Sequence, residues 1–259
     1  MSSDLTTDFT RITDATWHIL NAGAERRGEL LDELPPAHRA IVAAGTSGPG
    51  FVMEQARRRK TIANVLNTTF PVTFFAYYGR TGAEGLHAFL DSEPWQRRPA
   101  QPGSVFPPSA TTSAAFAAHL RDSGWLAAQE DWVGEAFAFE NDYLFGDAVA
   151  APRAGTRLTA GAWVAEASFD VPSYGRQLRE RAAVDPWPEA LLLVKRRPCP
   201  LAVVSLPEAD RVRRFQLRDD NVAALRWLWD SAAQVPDDAT DSRAYARALA
   251  AGLVDGTGR

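Results

Sequence analysis

The sequence predicts an α+β protein, with a helical N-terminal domain over residues 1–150 and a smaller mixed domain over residues 151–259 carrying a short antiparallel sheet. Three observations predict it. Apolar residues recur at helical spacing through most of the first 145 positions. After Ala151 the composition changes, and in residues 157–171 Trp163, Ala165, Ala167 and Phe169 alternate with their neighbours, as a half-buried strand requires. Two short β-rich runs, residues 190–196 and 201–206, then flank Arg197-Pro198-Cys199-Pro200, which reads as a hairpin-like turn. A chain of 259 residues accommodates two domains comfortably.

Residues 8–21 read as an amphipathic helix carrying Phe9, Ile12, Trp17 and Leu20. Residues 25–34 read as a short charged helix stopped by Pro35-Pro36, and residues 38–44 as another. The GTSGPG run at 45–50 has turn chemistry but no Lys-Ser/Thr behind it and no strand ahead of it, so it is a linker and not a phosphate loop. Residues 57–95 organise the first domain. Ile62, Val65, Leu66 and Phe70 form one apolar stripe. Pro71 disfavours helical backbone at Phe70 and suits the first position of a new helix. That second helix is too aromatic to be exposed, with Val72, Phe74, Phe75, Tyr77 and Tyr78, and Gly79 is expected to close it. Leu86, Phe89 and Leu90 give a third apolar face.

Residues 97–112 are rich in Pro, Ser and Thr and read as a long loop. A short helix at 113–121 precedes a stronger one at 125–145, on which Leu126, Val133, Phe137, Glu140 and Leu144 share a face. Glu140 is expected to be buried and paired with an arginine from 57–59. In the second domain, residues 173–183 read as a charged helix and residues 211–217 as a strand. Residues 221–232 read as an apolar helix, N-capped by Asp219 or Asp220, and a last helix runs from about 241 to 253.

The net charge of −4 and pI of about 5.6 do not suit a dedicated nucleic-acid binder. Residues 1–150 hold 12 basic and 18 acidic side chains and residues 151–259 hold 16 and 14, so the first domain offers an acidic docking surface. One cysteine, Cys199, allows no intrachain disulfide, which fits a reducing cytoplasm. No apolar run approaches the roughly 18 residues of a membrane span, and the N-terminus lacks a signal-peptide profile. His18, His38, His87 and His119 form no ligand-spaced pair. There is no GxSxG nucleophile elbow and no GxGxxG fingerprint. The sequence thus points away from an enzyme and assigns no catalytic residue, no metal ligand and no cofactor to this chain.

The run RRRKTIANVLNTTFPVTFFAYYGRTGAEGLHAFL at 57–90 resembles the N-terminal segment of the HvfC/BufC-type proteins, a family labelled as a DNA-binding domain. AFAFE at 136–140 resembles the family's later helix, and residues 156–171, 188–196 and 201–206 resemble its C-terminal half. The similarity spans residues 50–232. It departs from the family pattern at Ile62-Ala63, where a tyrosine is usual. The resemblance implies a non-catalytic companion of a multinuclear non-heme iron enzyme of TIM-barrel type. Such companions bind a ribosomally made precursor peptide and present it for oxidative modification, as in methanobactin and thiaglutamate biosynthesis, with the iron in the partner enzyme. It also implies that the C-terminal domain is a winged-helix-like peptide-recognition element and that the two proteins form a heterodimer.

On that reading an extended leader peptide adds as a strand to an exposed sheet edge beside a helix. The candidate strands are 201–206 and 211–217, and the candidate helix is 221–229. The peptide-binding residues expected from this are Val203, Ser205, Arg211, Arg213, Arg214, Phe215, Leu225 and Trp229, with the arginines pairing acidic leader residues. The rival reading is a sequence-specific DNA-binding transcriptional regulator. It is disfavoured because residues 221–232 carry a single basic residue, Arg226.

Overall fold

The computed structural model describes residues 2–22, 24–97, 109–149, 163–208, 211–217, 226, 243–250 and 252. Helices dominate them. The chain divides into two compact units, Met1–Gln129 and Glu130–Arg259.

The first unit contains α1 (Ser2–Asn21), α2 (Ala24–Asp32), α3 (Pro36–Gly45), α4 (Pro49–Thr69), α5 (Pro71–Asp91), the short α6 (Glu93–Gln96), α7 (Ser109–Asp122) and a 3-10 turn at Leu126–Ala128. Prolines open α3, α4 and α5, where the missing N–H costs nothing. Ile19, Val42 and Phe51 form one core cluster, and Ile12, Leu20, Leu30, Leu31 and Leu34 pack against it. Phe70 does the work expected at the Phe-Pro step. It ends α4 with φ −124° and ψ 60°, is fully buried, and passes the helical bonding on, since its N–H reaches the Leu66 carbonyl at 2.7 Å and its carbonyl accepts from Phe74 N at 2.8 Å.

The break after the aromatic helix differs from expectation. Gly79 stays helical, and the chain departs from helical geometry at Gly82, with φ 61° and ψ −148°, a region essentially reserved for glycine. The fixed point is one turn further on. Tyr77 donates its hydroxyl to the Gly85 carbonyl at 2.6 Å, and a β-carbon on Gly85 would collide with Thr81. That close approach sets where the helix can resume.

The second unit contains α8 (Asp131–Val149), β1 (Trp163–Phe169), α9 (Val171–Ala182), α10 (Trp187–Leu193), β2 (Pro198–Glu208), β3 (Arg211–Leu217) and α11 (Arg243–Ala250). The unit boundary falls at Gln129/Glu130 and not near residue 150, because α8 packs against β1. The alternation read in residues 163–169 holds where side chains are described: Ala165, Ala167 and Phe169 are buried, Glu166 and Ser168 exposed. The strands pair antiparallel in the order β1-β2-β3, with Ala165 opposite Val203 and Val204 opposite Phe215.

Two expectations fail here. Residues 190–193 belong to a helix and not to a strand. Pro186 precedes it as N-cap, and residues 190–193 are an alanine and three leucines, none branched at Cβ, which cost a helix little. Arg197-Pro198-Cys199-Pro200 is also no hairpin turn, since β2 begins at Pro198, which pairs with Phe169. Proline is tolerated at the first position of a strand. The helix read over 221–232 lies outside the described residues.

Asp170 caps α9: its Oδ1 accepts the Ser173 N–H at 2.9 Å. Asp170→Ala leaves that donor unpaired and is expected to destabilise by about 1 kcal/mol, measured by denaturant unfolding.

Candidate functional site

Sheet pairing places six of the eight expected peptide-binding residues on adjacent strands. Val203 and Ser205 lie on β2, the middle strand. Ser205 faces Trp163 on one side and Arg214 on the other. Arg211, Arg213, Arg214 and Phe215 lie on β3, opposite Glu208, Leu206, Ser205 and Val204. Leu225 and Trp229 fall outside the described residues. Because β2 is flanked on both sides, its backbone groups are committed to β1 and β3. Of the two candidate strands, 201–206 is therefore no edge, and 211–217 is the outer strand of the sheet among the described residues.

The opposite edge, β1, is engaged by α8. Glu135 accepts from the Ser168 backbone N–H through one carboxylate oxygen and from the Ser168 hydroxyl at 2.7 Å through the other. Trp132, one turn earlier, meets Phe169 at 6.4 Å and Tyr174 at 5.8 Å edge-on, and the Arg196 guanidinium lies 4.4 Å over its indole. A carboxylate held on a strand N–H both satisfies that donor and repels an approaching acidic strand. The pairing was not readable from sequence, because Glu135 and Ser168 are 33 residues apart.

The titratable groups singled out earlier have structural surroundings. Glu140 is buried, 3 % exposed. Arg57 and Arg58 both bind Glu54, each through Nε at 2.9 Å. His119 lies in the aromatic core, 3.1 Å from the Tyr77 hydroxyl through Nε2. That hydroxyl's proton is committed to Gly85, so Nε2–H must donate to the tyrosine oxygen, which fixes the tautomer. Burial lowers the His119 pKa against the opposing pull of Asp122, and burial pushes Tyr77 up to about 12. For His119 the folded state resists protonation, so its share of stability is complete above pH 6.5 and lost as pH falls through the lowered folded value. For Tyr77 the share is complete below about pH 10 and lost as pH rises towards 12. Titrating unfolding free energy in wild type and His119→Gln should show the wild type losing more stability below pH 6.5, with a limiting slope of about 1.4 kcal/mol per pH unit. Parallel curves would contradict the assignment.

Among the described residues, no group of three or more His, Cys, Asp or Glu side chains could hold a metal ion, and no helix is long and apolar enough to cross a membrane. The chain matches no protein-family model, no curated protein and no solved structure in the comparisons made.

Proposed function

We propose that this chain is a non-catalytic partner protein that takes the leader of a ribosomally made precursor peptide along the open edge of β3 and presents it to a multinuclear non-heme iron enzyme. The observation that carries the reading is the asymmetry of the sheet. Among the described residues β1 is engaged by Glu135, β2 is enclosed, and β3, with three arginines in seven residues, is left at the edge. An added strand gains backbone hydrogen bonds there, and the arginine content favours an acidic leader. The winged-helix-like form of this element and the iron in the partner rest on the resemblance of residues 50–232 to the HvfC/BufC-type companions.

Enzyme docking by the first unit needs a different basis from the one read in sequence. Counted over the compact units, Met1–Gln129 carries 12 basic and 12 acidic residues, and the acidic excess moves with α8 into Glu130–Arg259. Bulk charge does not therefore mark the first unit as the docking surface.

The test is co-expression with the genomic neighbours, followed by hydrogen exchange on whatever co-purifies. An iron-containing barrel protein and a small peptide are expected, with β3 amides gaining protection and β1 amides unchanged. Recovery with DNA alone would support the regulator reading instead, and protection confined to β1 would refute the edge assignment.

A further inference from the structure

The second unit carries an apolar and basic face on α9 and α10, which pack against each other. α10 turns Ala190 inward and leaves Leu192 85 % and Leu193 54 % exposed, and Val184, in the link between the two helices, is exposed as well. Exposed leucines are ordinary when scattered, but these two adjoin a basic strip. α10 ends at Val194, whose extended backbone leads into Lys195, Arg196 and Arg197, all exposed. Arg196 is taken by the Trp132 indole. The Arg197 carbonyl accepts the Asp170 N–H at 3.3 Å, which sets the strip against the start of α9. There Asp170 commits its carboxylate to the Ser173 N–H, and the Ser173 hydroxyl accepts from Arg176 at 3.3 Å. One chain of contacts thus joins Arg197 to Arg176. Among the described residues Lys195, Arg197 and Arg176 form no ion pair.

An exposed leucine pair beside three unneutralised cations is complementary to apolar groups flanked by carboxylates. An anionic lipid surface shares that charge. Glu189, however, is exposed three and four residues before the two leucines, on their side of the helix, where lipid phosphates would repel it. α10 is also only seven residues long and lacks the extended basic face of a helix that lies on membranes. Both facts favour a protein. We propose that Leu192 and Leu193, flanked by Lys195, Arg197 and Arg176, dock a partner protein through an apolar ridge bordered by acidic side chains. The proposal rests on the partner-protein reading above and places the iron enzyme on this face of the second unit.

Co-expression of the full-length chain with the genomic neighbours, in wild type and in variants of this face, tests it. Wild type should hold the iron-containing barrel protein. Leu192→Asp should weaken that binding at least about tenfold, because a carboxylate enters an apolar contact. The double variant Lys195→Glu/Arg197→Glu should also bind more weakly, and its gap to wild type should narrow as salt rises. These positions are exposed, so thermal unfolding should match wild type, and Leu193→Ser replaces Leu192→Asp if that variant fails to fold. Met53→Asp, at an exposed methionine of α4 in the first unit, should keep full binding. Equal binding by wild type and the α10 variants overturns the docking face and leaves the partner reading standing. No barrel protein with wild type overturns both. Loss with Met53→Asp but not with Leu192→Asp moves docking to the first unit. Leu192-dependent binding to phosphatidylserine vesicles in place of the protein assigns the face to a membrane. Either of these last results also overturns the proposal.

Discussion

Phe116→Ala is expected to destabilise the first unit by about 3–5 kcal/mol, the usual cost of deleting a fully buried aromatic ring. Phe116 is 0 % exposed, and its ring meets four others edge-on: Phe70 and Phe74 at 5.8 Å, Tyr77 at 5.4 Å and Phe89 at 5.3 Å. Phe70, Phe74, Tyr77 and Phe89 come from the α4–α5 junction and both parts of α5. Phe116 comes from α7, so one ring fastens α7 to the whole aromatic segment. The edge-on geometry adds to the burial term, though the four contacts share one ring and do not add independently. The cavity is walled by rigid rings, which relax poorly, and this places the expected loss towards the upper end of the range. Urea unfolding followed by circular dichroism would measure it. Phe116→Leu, which keeps most of the volume, should recover more than half of the loss. A deficit under about 1 kcal/mol for the alanine variant would mean that α7 is held by something other than this ring.

Much of this core was legible in the sequence, for a physical reason. Pro71 leaves the chain few options, so the Phe70 break could be placed to the residue. The break after the aromatic helix could not be placed from glycine alone. Gly79, Gly82 and Gly85 all permit a turn, and the choice is made by the Tyr77 hydroxyl and the Thr81 side chain, which are tertiary and steric facts. The α10 segment failed for a related reason. A run of alanine and leucines has no period to read at seven residues, and its flanking prolines fit a helix start as well as a strand boundary. The unit boundary was misplaced because α8 is helical like everything before it, while its packing partner is β1. At the candidate site, the sequence offered two strands without ranking them. Ranking needed the strand order and the Glu135–Ser168 contact, neither of which has a local signature.

The second large effect is expected at Trp95, where two kinds of interaction can be separated. Trp95 is 1 % exposed on the single-turn helix α6, its ring 5.0 Å from Phe89 and its indole N–H donating to the Asn21 carbonyl at 3.0 Å. Asn21 is the last residue of α1, so its carbonyl has no partner within the helix. The indole therefore serves as a distant C-terminal cap, 74 residues away in sequence, and ties α1 to α6. Trp95→Ala should cost about 3–5 kcal/mol by removing ring and donor together. Trp95→Phe keeps a buried ring but leaves the carbonyl without its donor, which alone costs about 1–3 kcal/mol. If the hydrogen bond matters, native-state hydrogen exchange in Trp95→Phe should accelerate most in the last turn of α1, while amides of α7 keep their protection in proportion to global stability. Uniform acceleration across the unit would show that Trp95 acts by volume alone and that α1 needs no cap from α6.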